Sequence, residues 1–330
     1  MILTGITPTG MPHLGNYLGA FKPALGYQNQ AGVEALYFVA DGHSLVKLWD
    51  PALRAQYIRE VIATWLALGL DPQRVIFYRQ SDVPEIFELA WILTSVTAKG
   101  LMNRAHAYKD QVAKNAETGE TDMDHGITMG LFCYPILMSA DILLFNAEQV
   151  PVGKDQIQHI EMARDIAGRF NHLYGETFCL PTALIDETTP ILPGLDGRKM
   201  SKSYQNTIPL FVDSKQLRKL VMKIKTNSLM PGEPKDPEGC TLFAIYQSLA
   251  TPAQVDSLRQ AYQNGISWGE AKQLLFEFLD AQLQTPREKF AYYLNHPAEV
   301  EAILKEGAAR ARAKAAPFLN TIKQKAGFVL

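Results

Sequence analysis

Two lysines three residues apart, Lys199 and Lys202, stand in the string Arg198-Lys199-Met200-Ser201-Lys202-Ser203, directly after Gly194-Leu195-Asp196-Gly197. The small residues between them and the glycine-containing lead-in read as a flexible loop. Two ammonium groups on such a loop can close on a polyphosphate and neutralise charge as it builds on a leaving pyrophosphate. A second string, Thr7-Pro8-Thr9-Gly10-Met11-Pro12-His13-Leu14-Gly15-Asn16, leaves one apolar run and enters a helical pattern. A strand–turn–helix with glycine at the turn aims backbone N–H groups and the positive helix end at one place, where a phosphate can sit. His13 can donate to a phosphate oxygen, Asn16 can do so from the next turn, and Gly15 permits close approach. Taken alone, a lysine pair also suits a solvated surface, and the second string also suits a helix cap with an incidental histidine.

The elements that must position these groups alternate in type. Met1–Ile6 reads as a strand ended by the breakers at 7–10, followed by a helical pattern from Leu14 to Gln30. Ala35–Ala40 reads as a buried strand. Pro51–Leu70 reads as a helix opened by Asp50-Pro51 and closed near Gly69. Val75–Tyr78 is strand-like and Glu85–Thr97 helical. Such alternation predicts βαβ units and a doubly wound parallel sheet with helices on both faces. Residues 110–128 read as a mobile loop or weak helix, and 186–208 as a loop. Beyond them strand signals fade. Lys215–Lys225, Thr241–Leu249, Pro252–Asn264, Trp268–Leu283, Arg287–Leu294 and Pro297–Lys325 all read as helices. The expected layout is an α/β domain over 1–206 and an all-helical domain over 207–330, whose last helix has the option of packing back on the first.

Of 330 residues 47% are hydrophobic and 20% charged, which excludes a disordered, collagenous or disulfide-stapled chain. The start MILTGITPTGMPHLGN has no secretory pattern and the apolar runs are too short to span a bilayer, so a cytoplasmic protein without membrane contact is expected. Cys133, Cys179 and Cys240 have neither disulfide nor zinc spacing and read as free thiols. The net charge is −2, yet residues 207–330 hold 16 basic against 12 acidic side chains. Lys215, Arg218, Lys219, Lys223 and Lys225 crowd one segment, and Lys305, Arg310, Arg312 and Lys314 another. Either cluster can hold a phosphate backbone without reading sequence, and either can be a solvated face.

The two strings resemble the HIGH-type and KMSKS signatures of class I aminoacyl-tRNA synthetases, in their usual order. The resemblance runs over nearly the whole chain and is nearest to the bacterial, tryptophan-specific branch. That narrower likeness rests on Tyr134-Pro135-Ile136-Leu137-Met138-Ser139-Ala140-Asp141-Ile142-Leu143-Leu144, on Val150-Pro151-Val152-Gly153-Lys154-Asp155-Gln156-Ile157-Gln158-His159, and on 161–171. It implies a Rossmann-like catalytic domain, ATP with Mg²⁺ as a substrate complex, L-tryptophan and tRNA(Trp) as partners, and a homodimer. No DNA, iron–sulfur cluster or structural zinc is implied. Lys199, Lys202, His13 and Asn16 take the catalytic roles. Thr7, Pro8, Thr9, Gly15, Asn16, Gly153, Lys154, Asp155, Ile191 and 199–203 (Lys199, Met200, Ser201, Lys202, Ser203) hold ATP, with Ile191 on the adenine.

Tyr134, Met138 and Asp141 lie at i, i+4 and i+7, one face of a helix. Where similar tyrosine enzymes carry a glutamine, Met138 is apolar and adaptable, which suits an indole. Asp141 can accept the indole N–H. By the same resemblance Tyr134 and Gln156 meet the α-amino group, and His43, Val150, Val152 and Leu3 line the pocket. The chain departs from the pattern at Ala107 and Gln111, near the triphosphate, at Leu3 in place of an aromatic, and at Arg198. Lys109 is kept. A tyrosine–tRNA ligase, a non-synthetase nucleotidyltransferase and a non-catalytic tRNA- or tryptophan-binding paralogue stay open at this point.

Overall fold

The run Ala35–Val39 is buried at every position, as a strand covered on both faces must be. In the computed structural model, which describes residues 1–185 and 191–328 and only the backbone of Asp155, that run is central to a five-stranded parallel sheet. Along the chain come β1 (Ile2–Ile6), α1 (Leu14–Asn16), α2 (Lys22–Tyr27), β2 (Ala35–Val39), α3 (Asp41–Ser44), α4 (Pro51–Ala67) and β3 (Ile76–Arg79). Then follow α5 (Glu85–Val96), α6 (Lys99–Met102), α7 (His106–Glu117), α8 (Met129–Leu143), β4 (Gln149–Pro151), α9 (Ile157–Tyr174) and β5 (Thr182–Leu184). The rest is helical: α10 (Ser214–Met222), α11 (Thr241–Gln247), α12 (Pro252–Gln263), α13 (Trp268–Asn295) and α14 (Pro297–Lys325).

The strand order β3-β2-β1-β4-β5 puts the first strand beside the fourth. Alternate residues divide the sheet between two cores. Leu3, Leu36, Phe38, Ile76 and Tyr78 pack against α5, α8 and α9, while Ala35, Tyr37, Val39 and Phe77 meet Phe21, Val61, Ile62 and Trp65 on the other face. A third cluster joins Leu14, Leu18, Ala63, Ala67 and Met200 to Leu217, Val221, Leu275 and Leu279 of the helical half.

Local signals explain the long helices. Asp50 Oδ1 accepts from the N–H groups of Ala52 and Leu53 (2.9 and 3.0 Å), so α4 begins at Pro51. Ser267 and Glu270 form a capping box at the start of α13. That helix then continues through Pro286, where the sequence predicts a break. The ring removes one N–H bond, but Leu283 and Phe290 are buried on either side in one apolar cluster, and that packing holds the helix together. The pattern expected over Leu14–Gln30 is one helical run from Leu14 to Tyr27, with a wider turn over Tyr17–Phe21, and ends in a turn over 28–30. The segment 110–128, expected as a mobile loop or a weak helix, is helical as far as Glu117. Buried Asn115 fastens the remainder by donating to the carbonyls of Met123 and His125, both at 2.8 Å. β4 and β5 have three residues each, too few to show a period.

The last helix lies along β3. A Cβ on Gly307 would stand 1.7 Å from the Phe77 carbonyl oxygen, so only glycine lets the helix approach the strand this closely. Ala308, Ala311, Ala315, Leu319 and Ile322 complete that contact. Among the described residues no helix is long and apolar enough to cross a membrane.

Candidate active site

Between β1 and β4 the connections leave the sheet toward opposite faces, and the crevice at the carboxyl ends of these strands is the natural ligand site of such a fold. The string 7–16 leaves β1 into that crevice. Gly10 turns it at φ +123°, a region that disfavours other residues. His13 then caps α1 with its own ring: the Asn16 N–H donates to His13 Nδ1 (3.3 Å), and the His13 N–H donates to Asn16 Oδ1 (3.1 Å). A ring that accepts at Nδ1 carries its proton on Nε2. Burial first, and the Lys202 charge second, push the imidazole pKa down to about 4. At neutral pH His13 is therefore a neutral, preset N–H donor.

The loop that bears the two lysines folds over this turn. It closes on itself through Gly194 N–H to the Arg198 carbonyl (2.7 Å) and Met200 N–H to the Leu192 carbonyl (2.9 Å). Buried Asn206 ties it further, donating to Asp196 Oδ1 (2.7 Å) and the Lys199 carbonyl (3.1 Å) and accepting from the Ser201 N–H (2.8 Å). The Asn206 amide and the Arg198 guanidinium hold the Asp196 carboxyl at about 2. Antiparallel bonds from Leu14 N–H to the Ile208 carbonyl and from Leu210 N–H to the Pro12 carbonyl, both 3.0 Å, fasten the loop to the turn. Met200 packs in the apolar cluster with Leu14, within 3.6 Å of the place a Gly15 Cβ would take. Lys202 Nζ lies 3.2 Å from the corresponding point on Gly10. Lys199 is exposed beside it, and the hydroxyls of Ser201 and Ser203 meet at 2.8 Å.

Behind the turn lies a second set of polar groups in apolar walls. Asp141, 1% exposed, takes the His43 Nε2–H at 2.9 Å on Oδ2 and the Gln80 Nε2–H at 2.7 Å on Oδ1. Burial raises the Asp141 carboxyl above the ordinary carboxylate range, and the His43 and Gln80 bonds oppose that rise. Gln80 in turn accepts from the Gly42 N–H (3.0 Å), which fixes which end of its amide faces Asp141. Tyr134 meets His159 Nε2 at 2.7 Å, and His159 Nδ1 meets Gln156 Oε1 at 2.8 Å. With a carbonyl oxygen on Nδ1, that nitrogen carries the proton and Nε2 accepts from Tyr134, whose phenol oxygen keeps lone pairs for a cationic donor. Leu3 and Val150 are buried in the surrounding core, with Met138 and Val152 half-buried against it.

The family model described as tRNA synthetases class I (W and Y) matches residues 1–303. The chain belongs to this synthetase family. The tryptophan–tRNA ligase of Pseudomonas putida is 57% identical over 330 residues, covering 99% of this chain and 73% of the relative. That of Neisseria meningitidis is 53% identical over 326 residues, covering 99% and 97%. The crystal structure of tryptophanyl-tRNA synthetase from Campylobacter jejuni, complexed with ADP and tryptophan, superposes at a TM-score of 0.91 with 42% identity, covering 99% of each chain.

In this synthetase the two signature strings, distant in sequence, are brought together, His43 meets Asp141, and Tyr134 is linked to Gln156 through His159, while Leu3, Met138, Val150 and Val152 belong to one apolar core. Thr7 and Thr9 are exposed at the crevice with Pro8 buried between them. Gly153 and Lys154 are exposed at the start of α9, and the Asp155 side chain lies outside the described residues. Ile191 is 73% exposed, next to the undescribed stretch 186–190. Gln111 donates to Asn115 Oδ1 at 3.0 Å, so this departure from the family pattern supports the fastened 118–128 segment.

Gln80 and Asn206 do not stand out in the sequence: Gln80 acts on Gly42 and Asp141, far along the chain, and Asn206 acts through the fold of its own loop. Gly5 has the same character: a Cβ there would fall 2.3 Å from the Phe38 ring. The second basic segment is corrected. Arg310 donates to the carbonyls of Pro72 and Val75 (2.7 and 3.0 Å), Arg312 bonds Glu85 at 2.9 Å, and Lys314 bonds Glu34 at 2.8 Å. These cations fasten α14 to the first domain. By contrast Lys215, Lys219 and Lys223 line one face of α10, around a concavity of about 430 Å³ shared with Asp213 and Gln216.

Proposed function

We infer that the chain is a tryptophan–tRNA ligase. It is an ATP-dependent enzyme that activates L-tryptophan to tryptophanyl-adenylate and passes the acyl group to tRNA(Trp). The observation that carries the reading is the meeting of the Lys202 ammonium with the Gly10 turn beside a neutral His13, next to a buried carboxylate pocket. A tryptophan carboxylate oxygen attacks the α-phosphorus, the bond to the bridging oxygen breaks, and pyrophosphate leaves with that electron pair. Lys199 and Lys202 neutralise it, while His13 Nε2–H and Asn16 donate to phosphate oxygens. Mg²⁺ comes with ATP, held mainly by phosphates and water. Thr7, Pro8, Thr9 and Gly15 give the phosphates room. Gly153, Lys154 and Asp155 hold the adenosine, Ile191 covers the adenine, and Met200, Ser201 and Ser203 shape the loop. Catalysis is positioning and charge stabilisation, without a covalent enzyme intermediate. A 2′-hydroxyl of the terminal ribose then attacks the acyl carbon and AMP leaves.

Asp141 takes the indole N–H, Tyr134 and Gln156 the α-amino group, and His43, Leu3, Met138, Val150 and Val152 the ring. Residues 1–206 form the catalytic domain and 207–330 the tRNA-binding domain, working in the cytoplasm. The reading is tested by charging of tRNA: labelled tryptophan, and not tyrosine, is expected on the acceptor end, and tyrosine charging would overturn it.

Lys215, Lys219 and Lys223 supply backbone contacts to tRNA. Reversing all three to glutamate is expected to lower kcat/KM for tRNA by roughly tenfold or more and to leave adenylate formation unchanged. Equal loss in both steps would remove these lysines from the tRNA face. The working unit is a homodimer. Trp49 and Trp91 are 73% and 68% exposed, with Leu45, Phe87 and Met129 exposed too. The Phe87 ring lies at Gly42 and Val46 lies by Gly130, which joins the segments that carry these residues. Two open indoles in one apolar area mark an interface. Trp91→Glu is expected to halve the mass measured by sedimentation; an unchanged mass would put the interface elsewhere.

A further inference from the structure

Beneath the loop, α4 carries a carboxylate whose placement the reaction as described does not use. Glu60 is buried in α4, only 6% exposed. On the same helix face Ala63 and Ala67, one and two turns further on, pack in the same apolar cluster as Leu14 and Met200. One turn earlier, the Tyr57 ring stands 3.6 Å from the point a Gly10 Cβ would occupy, and Lys202 Nζ stands 3.2 Å from that same point. Glu60 therefore lies one turn along α4 from the ring that stands at the Gly10 turn. Its Oε1 accepts from Gln56 Nε2 at 2.7 Å, which fixes the carboxylate. Its Oε2 is buried without a hydrogen-bond partner among the described residues.

A buried carboxylate oxygen with no donor is costly unless a cation answers it. Lys202, which reaches the same Gly10 turn as Tyr57, is the cation on which the Glu60 charge acts, at a separation longer than a direct ion pair. The lysine side chain stays accessible, yet partial desolvation against the turn lowers its proton affinity, and the Glu60 charge works against that loss. Lysine has a flexible four-carbon stem, so an ammonium group that must meet a leaving pyrophosphate gains from being held before the substrate arrives.

We propose that Glu60 is a positioning residue for Lys202, a fixed counter-charge behind the ammonium that keeps it aimed at the leaving pyrophosphate. The proposal rests on the role given to Lys202 above. The role gives Glu60 no contact with ATP or tryptophan, so its effect must pass through that one side chain.

The test is a double-mutant cycle on the full-length enzyme with E60Q, K202A and both together, read as kcat and KM for ATP in pyrophosphate exchange. Gln keeps the shape and the bond to Gln56, and tryptophan binding followed by fluorescence checks that each variant is folded. E60Q is expected to lower kcat about tenfold with KM for ATP within about threefold, and to cause no further loss when K202A is already present. E60D, which keeps the charge on a shorter arm, is expected to recover part of the rate. If E60Q slows both backgrounds equally, or acts on KM alone, Glu60 is structural and the proposal fails. K202A at the wild-type rate would overturn the Lys202 reading itself, and the Glu60 proposal with it.

Discussion

Lys202→Ala is expected to slow adenylate formation by about 10²- to 10³-fold, the usual cost of removing one preset group that answers transition-state charge. Tryptophan affinity should stay within about twofold, because the lysine faces developing charge on pyrophosphate and lies away from the Asp141 pocket. The expectation is sharper for Lys202 than for Lys199. The Lys202 ammonium already rests on the Gly10 turn and its charge is felt by His13, whereas Lys199 lies on the strand-like edge of the loop. Single-turnover formation of the adenylate, set beside equilibrium binding of tryptophan, separates the two effects. Parallel loss in rate and binding would mean that Lys202 supports the site in general.

Asp141→Asn is the second large effect, and its reason is a matter of donors and acceptors. Gln80 cannot turn round, since its oxygen is held by the Gly42 N–H, so it presents N–H to position 141. An asparagine there must give its single oxygen to Gln80. Its NH₂ then occupies the place of Oδ2, where His43 can adapt by accepting instead of donating. The result is a pocket with a donor where the indole needs an acceptor. Losing a hydrogen bond to a charged acceptor costs about 1.5–3 kcal/mol, so KM for tryptophan should rise by roughly 10- to 100-fold while KM for ATP holds. Unchanged tryptophan kinetics would place the indole N–H on another group.

These two sites were legible to different degrees. The phosphate turn and the lysine loop announce themselves, since each packs its chemistry into a short string with glycine where the backbone must turn. The face Tyr134–Met138–Asp141 is legible because a helix repeats its face at i+4 and i+7. What is missing from the sequence is everything that acts across the chain. Gln80 orients Asp141 and His159 reaches Tyr134 from far along the chain, while Asn206 closes its own loop through a fold that the string does not mark. The fold shows the same division. Strands of five apolar residues and well-capped helices could be read, but three-residue β4 and β5 could not. Pro286 reads as a stop because propensity sees the ring alone, while burial of Leu283 and Phe290 decides the matter. The basic residues of α14 mislead for a related reason: charge spacing does not say whether the nearest anion is a phosphate or Glu85.

The central claim is that this chain joins the tryptophan carboxylate to the α-phosphate of ATP, releasing pyrophosphate, through the two joined strings. It is tested most directly by exchange of labelled pyrophosphate into ATP, run with tryptophan, with tyrosine and with neither. Exchange that depends on tryptophan alone is the predicted result. Exchange supported by tyrosine, or none with tryptophan in protein that still binds it, would contradict the account.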